Sequence, residues 1–228
     1  MSSIAENLKR IKTNLPEQVS LVAVSKTKPN AAILEAYEAG QRIFGENKIQ
    51  EMTDKYEALP KDIEWHMIGH VQRNKVKYMA PFVTLIHAVD SLRLLVEINK
   101  QAERNNRVIS CLLQLFIADE ETKFGLDETE LMEILNSEEF KSLNHIKIQG
   151  LMGMATFTAN QDQIKREFST LHAIFEKVKS TYNHLPNVAC ETLSMGMSND
   201  YIIAIECGST LVRIGSTIFG DRHYELNK

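Results

Sequence analysis

The chain has 228 residues, 43% of them hydrophobic and 25% charged, so it can bury a full core and lacks the bias of a disordered segment. Its 26 Lys and Arg against 30 Asp and Glu leave a formal net charge of −4. Because the signs are interspersed, neither a nucleic-acid groove nor an anionic membrane surface is expected as a partner.

The N-terminal stretch MSSIAENLKRIKTNLPEQ carries charges every few residues and lacks the apolar core of a signal peptide. No later apolar run reaches the roughly 18 residues that a spanning helix needs, so a cytoplasmic location is expected. Ser2 to Leu15 is predicted as an extra N-terminal helix lying under or beside the main body.

From there the chain alternates short β-branched runs with longer segments of helical period, each switch marked by Gly, Pro, Asn, Asp or Ser. The strand-like runs are Val19 to Lys26, Arg42 to Asn47, Ile63 to Gly69, Thr84 to Asp90, Val108 to Ile117, Ile146 to Met154, Val188 to Gly196 and Thr210 to Gly215. Helical segments are predicted near 29–39, 48–59, 73–80, 91–106, 127–140, 160–182 and 199–207. Runs such as SLVAVS and TLVRIG are apolar on both parities, as strands covered on both faces must be. With no linker or composition shift, residues 1–228 are expected to form a single α/β domain, a (β/α)8 TIM barrel, rather than an open doubly wound sheet.

Barrel chemistry sits where strands end, which directs attention to the strand-to-helix turns. Lys26 closes the first strand in register with Val22 and Val24. Desolvation there would free its amine to condense with a carbonyl, whereas spacing alone favours a rim lysine that reaches solvent or pairs with Glu46. Arg213 sits mid-strand in TLVRIG and needs a partner, since an unpaired buried charge costs several kcal/mol. Glu64, Glu191 or a bound anion could serve. Gly215 and Ser216, with Gly196 and Ser198 in the preceding turn, are placed where barrels hold phosphate, or are ordinary turn glycines and capping serines.

Asn47 either holds a ligand or caps the helix that starts at Lys48. His66 reads as a satisfied core histidine, and the methionines, Met152, Met154, Met195 and Met197 among them, read as core fillers. Cys111, Cys190 and Cys207 show no CxxC spacing and read as free, mostly buried thiols. No HxxxH, HExxH or carboxylate cluster suggests a metal.

Taken in order, AVSKTKP, FGEN, WHMIGHVQRNK, GLMGMA, LSMGMS and VRIGSTIFG resemble the pyridoxal phosphate homeostasis proteins, single-domain relatives of the alanine racemase N-terminal barrel (fold type III). The resemblance implies pyridoxal 5'-phosphate as cofactor, held as a Schiff base on Lys26. Ser194, Ser198, Gly215 and Ser216 match the phosphate cradle, Asn47 an asparagine lining the cofactor, and Arg213 the arginine facing the pyridine nitrogen. A cation there disfavours protonation of the ring and weakens the cofactor as an electron sink. The family racemases also take a tyrosine base from a C-terminal β-domain, for which the sequence after the eighth strand leaves no room. A monomeric carrier with little or no turnover is therefore implied, with apoenzymes that use the cofactor as recipients. The alternative is an amino-acid racemase, with His66 or His70 as the second base; a barrel aldolase acting on sugar phosphates leaves Arg213 without a task. One departure stands out: the family's QxN on strand 5 reads Gln114-Leu115-Phe116 here, while DEETKFG at 119–125 keeps that loop's acidic run, lysine and glycine.

Overall fold

A computed structural model describes residues 3–119 and 124–220. Eight parallel strands close into a barrel in sequence order, β1 Ser20–Val24, β2 Ile43–Glu46, β3 Glu64–Met67, β4 Leu85–Val89, β5 Ile109–Gln114, β6 Ile146–Met152, β7 Val188–Ser194 and β8 Leu211–Ile214. Every expected run contains one strand, but the strands are shorter. The residues trimmed from the C-terminal ends, Lys26, Asn47, Gly69 and Met154 among them, leave the sheet and line its mouth.

Around the barrel run α1 Ile4–Asn14, α2 Asn30–Glu38, α3 Ile49–Ala58, α4 Val76–Met79, α5 Leu92–Arg104, α6 Glu128–Asn136, α7 Glu138–Lys141, α8 Gln161–Tyr182, α9 Tyr201–Glu206 and α10 Ser216–Phe219. The long helices follow from their apolar stripes. In α8 the buried Ile164, Phe168, Leu171, Phe175, Val178 and Tyr182 recur at three- and four-residue steps, and Asn160 caps the start by accepting from the Gln163 amide. The stretch expected as one helix over 127–140 is two, because Ser137 turns to extended backbone and caps α7 by accepting from Phe140 N–H. The segment near 73–80 is a 3-10 turn, Arg73–Lys75, followed by a single turn of α4.

The N-terminal helix lies beside the barrel. Ser3 and Glu6 form a capping box at its start, Ile4 N–H donates to Glu35 of α2, and Asn7 donates to the Ile218 carbonyl of α10 at 3.1 Å. It therefore stands between the first and last helices of the ring. Among the described residues no helix is long and apolar enough to cross a membrane, and no His, Cys, Asp and Glu group could hold a metal. Cys111 and Cys190 are buried free thiols whose ionisation burial pushes up, to about 12 for Cys190, while Cys207 is half-buried.

The barrel interior is filled by Val22, Leu85, Ala88, Leu112, Met152 and Leu211. Above that apolar plug, toward the C-terminal ends of the strands, the interior turns polar with His66, His87, Ser194 and Arg213. A larger shell of aliphatic and aromatic residues packs strands to helices. One glycine is fixed by strand pairing: Gly150 of β6 has φ +151°, and a Cβ there would lie 1.8 Å from the Thr192 carbonyl oxygen of β7. Gly150→Ala is expected to destabilise the fold by about 3 kcal/mol or more, or to yield no folded protein, as read by thermal and urea melts.

Candidate functional site

A cavity of about 440 Å³ opens at the C-terminal ends of the strands. Its walls come from the turns: Lys26 and Lys28 after β1, Asn47 after β2, Gly69 and His70 after β3, Gln114 at the end of β5, Met154 after β6, Met197 and Ser198 after β7, and Arg213, Gly215 and Ser216 from β8 and α10. Six of the seven residues singled out from the sequence thus share one cavity.

Ser194 is the exception. It is fully buried at the end of β7, where its Oγ accepts from Arg213 Nη1 at 2.5 Å and lies 3.0 Å from His87 Nδ1. The position expected in a phosphate cradle is instead committed to orienting Arg213. Ser194 and Ser198 sit in one short motif, but strand pairing buries the first while the second follows the turn into the cavity.

Arg213 does not use the carboxylates considered from sequence, since its contacts are neutral. Nη1 donates to the Ser194 carbonyl at 2.9 Å and to its Oγ, and Nη2 donates to the Gly153 carbonyl at 3.1 Å. Burial pulls the guanidinium down to about 10, opposed by the charge of Asp200, so it remains a cation at neutral pH. A buried positive charge satisfied by carbonyl dipoles, with no carboxylate in contact among the described residues, faces the same cavity as Lys26.

The turn carrying Lys26 is unusual backbone. Thr27 adopts φ 65°, a left-handed conformation its branched Cβ disfavours. Lys28 Nζ donates to the carbonyls of Phe219 and Gly220 at 3.0 and 2.9 Å, tying the first strand-to-helix turn to the last helix. Glu46, considered as a partner of Lys26, is buried and engaged by Lys55 Nζ at 2.8 Å and Ser25 Oγ at 2.6 Å. Gly215 packs so closely on β1 that a Cβ would stand 3.2 Å from Val24 Cβ. Its N–H donates to Ser198 Oγ at 3.3 Å, joining the last two turns.

Asn47 does not cap the following helix, whose cap is Lys48 with no side-chain bond. Its Oδ1 is buried and has no hydrogen-bond partner among the described residues. Such an acceptor costs about 1–3 kcal/mol unless something donates to it.

His66 is indeed a core histidine, its Nδ1 3.0 Å from His87 Nε2. His87 was not singled out, because a lone histidine in LIHAV carries no motif. The hydrogen bonds can all be satisfied one way: Arg213 donates to Ser194, the serine O–H to His87 Nδ1, and His87 Nε2–H to His66 Nδ1. Both rings are then neutral. His70, by contrast, lines the cavity, pairs with Asp90 at 3.3 Å and stacks on Phe124 with ring centres 4.4 Å apart. Met154 and Met197 line the cavity too, whereas Met152 and Met195 are the core fillers expected. Phe116 is 39% exposed and absent from the cavity wall. That part of the wall is Gln114, whose Nε2 donates to the Phe124 carbonyl at 2.6 Å, and Phe124 itself. Residues 120–123 of the DEETKFG run lie outside the described residues.

The sequence pattern of the alanine racemase N-terminal domain matches residues 1–223. Pyridoxal phosphate homeostasis proteins align over most of the chain: that of Aquifex aeolicus is 42% identical over 90% of this chain and 87% of its own, and that of Escherichia coli K12 is 36% identical over 98% and 99%. The chain belongs to the pyridoxal phosphate homeostasis protein family. Among solved structures, PipY of Synechococcus elongatus without PLP superposes with a TM-score of 0.89 at 34% identity, covering 96% of this chain and all of PipY. The same protein with PLP bound gives 0.86 at the same identity and coverage. Alanine racemase of Bartonella henselae, at 17% identity and a TM-score of 0.69, covers 96% of this chain and 60% of the racemase and shares the barrel fold.

The buried histidine pair carries a pH dependence. Desolvation holds His66 down to about 3 and, with the charges of His66 and Arg213, holds His87 well below its ordinary range. The unfolded chain binds protons at both rings below about 6.5 while the folded chain does not, so stability present above that pH is lost as pH falls toward 3. Urea midpoints measured between pH 7 and 4 are expected to fall by an amount worth several kcal/mol, and His66→Gln is expected to flatten the slope; a level wild-type profile would contradict the neutral pair.

Proposed function

We propose that this chain holds pyridoxal 5'-phosphate covalently through Lys26 Nζ, as a carrier in cofactor homeostasis with little or no turnover. The observation that carries the reading is the convergence of Lys26, Arg213 and the Ser198–Gly215–Ser216 turn on a single cavity. A volume of about 440 Å³ suits a one-ring phosphate compound, and the buried, partnerless Oδ1 of Asn47 is an acceptor such a ligand would satisfy. Relatives named as pyridoxal phosphate homeostasis proteins and the PLP-bound structure of PipY support the same ligand.

The bound cofactor supplies an aldehyde for amine condensation and an electron-withdrawing ring. Lys26 provides the amine, and its half-buried position at the strand end limits its solvation. Ser198 and Ser216 provide hydroxyl donors, and Ser216 and Thr217 open α10 with N–H groups that make no bond within the helix, together the phosphate end of the site. Arg213, held by carbonyls and Ser194, is a cation in the cavity wall that would oppose protonation of a ring nitrogen placed beside it. Ser194 serves the cofactor through Arg213.

Little turnover is expected for a second reason. Racemisation needs a base on each face of the substrate carbon, and among the described residues lining the cavity there is no tyrosine. His66 and His87 are consumed by each other and Ser194. His70 lines the cavity but is already paired with Asp90. A monomer in the cytoplasm that delivers the cofactor to apoenzymes completes the reading.

Lys26→Ala is expected to abolish the borohydride-reducible adduct and its absorbance band, with the circular dichroism spectrum unchanged. A reducible adduct persisting at the same site would refute the assignment. Incubation of the loaded protein with α-deuterated amino acids is expected to release deuterium no faster than free cofactor does, whereas release well above that background would make the protein a racemase.

A further inference from the structure

The reactive turn is gripped from outside the barrel by a second lysine. Lys55 of α3 is buried and donates from one ammonium to three oxygens: the Ser25 carbonyl at 2.9 Å, Glu46 Oε1 at 2.8 Å and Glu51 Oε1 at 2.7 Å. Those three acceptors control the residues on either side of Lys26. Ser25 is held twice, by its carbonyl to Lys55 and by its hydroxyl to Glu46 at 2.6 Å. Thr27 is held through its N–H, which donates to the same Glu51 oxygen at 2.6 Å.

Left alone, this turn would not rest where it is. Thr27 stands at φ 65°, which a branched residue seldom adopts without support. Its N–H points at a carboxylate whose orientation is set by Lys55 four residues along the same helix. Both neighbours are tied to α3 on the outer side, while Lys26 between them lines the cavity.

From this geometry we infer that Lys55, acting through Glu51 and Glu46, is a positioning residue for Lys26: the cluster locks the turn at 25–27 so that the Lys26 amine is presented to the cavity. The inference rests on the cofactor reading of Lys26. Lys55 itself pairs with two carboxylates and does not line the cavity. The Oε2 of Glu46 is buried without a hydrogen-bond partner among the described residues, so the cluster keeps Ser25 and Lys55 in place with an imperfectly satisfied carboxylate.

Glu51 is the accessible end of the cluster, 24% exposed at its side chain, so its replacement should leave the fold intact. Three proteins would be compared, wild type, Glu51→Ala and Glu51→Gln, for two quantities: the rate at which added pyridoxal phosphate becomes reducibly attached to Lys26, by peptide mapping, and the amide exchange rate at Thr27. Glu51→Ala is expected to slow attachment about tenfold and to speed Thr27 exchange at least tenfold. Glu51→Gln, which keeps an acceptor oxygen for Thr27, should recover most of both. Lys55→Met is expected to go further in the same direction if it folds. Wild-type attachment and exchange rates in Glu51→Ala would overturn the inference, whatever the melting temperature does. Should wild type attach the cofactor elsewhere or not at all, the cofactor reading falls, and exchange at Thr27 alone then decides the lock.

Discussion

Closure of the barrel between β1 and β8 is the constraint from which the site follows. The two strands pair in parallel with Val22 opposite Arg213 and Ala23 opposite Ile214, so the first and last turns of the barrel emerge side by side. Lys26 and Gly215 thereby become neighbours despite lying near opposite ends of the sequence. Lys28 bonding to the last helix and Gly215 lying flat against Val24 are consequences of the same pairing. No local motif could assemble these groups.

Charge inside the mouth is managed in an uneven way. The inner side has a guanidinium with neutral contacts and a pair of uncharged imidazoles, with Asp200 in the cavity wall, while Glu46 and Glu51 are on the outer side bound to Lys55. Desolvation raises Glu46 above the usual carboxylate range even with Lys55 beside it, which is why an ammonium with hydrogen-bonding geometry is needed there. Committing Glu46 and Glu51 to Lys55 leaves the lysine turn firmly anchored.

Much of this was legible in the residues. Apolar runs on both parities announced covered parallel strands, strand-end position brought up Lys26, Asn47, Gly215 and Ser216 and a charge mid-strand brought up Arg213, but each had an ordinary structural reading that only the family resemblance outweighed. What escaped notice has identifiable causes. The α10 helix is too short for helical periodicity to register, and the segment expected as one helix near 73–80 is a 3-10 turn followed by a single α turn. Lys55 lies in a helix whose polar residues look like a solvated face, and only the tertiary contact with β1 and β2 reveals that it is buried. Ser194 and His87 take their meaning from Arg213, through bonds that span strands far apart in sequence.

The barrel wall is not uniform. From β8 through β1 and β2 to β3 the strands pair without a slip, whereas between β4 and β5, β5 and β6, and β6 and β7 the register shifts once each, near Ile86, Cys111 and Ile148. Each shift leaves backbone out of the ladder and bends the strand there. The wall bearing Lys26 and Arg213 is thus the unbroken one, and the wall across the mouth is segmented. The lysine and the arginine are accordingly set on strands whose spacing continuous ladder pairing fixes, while on the far side each shift re-aims the residues that follow it along the strand.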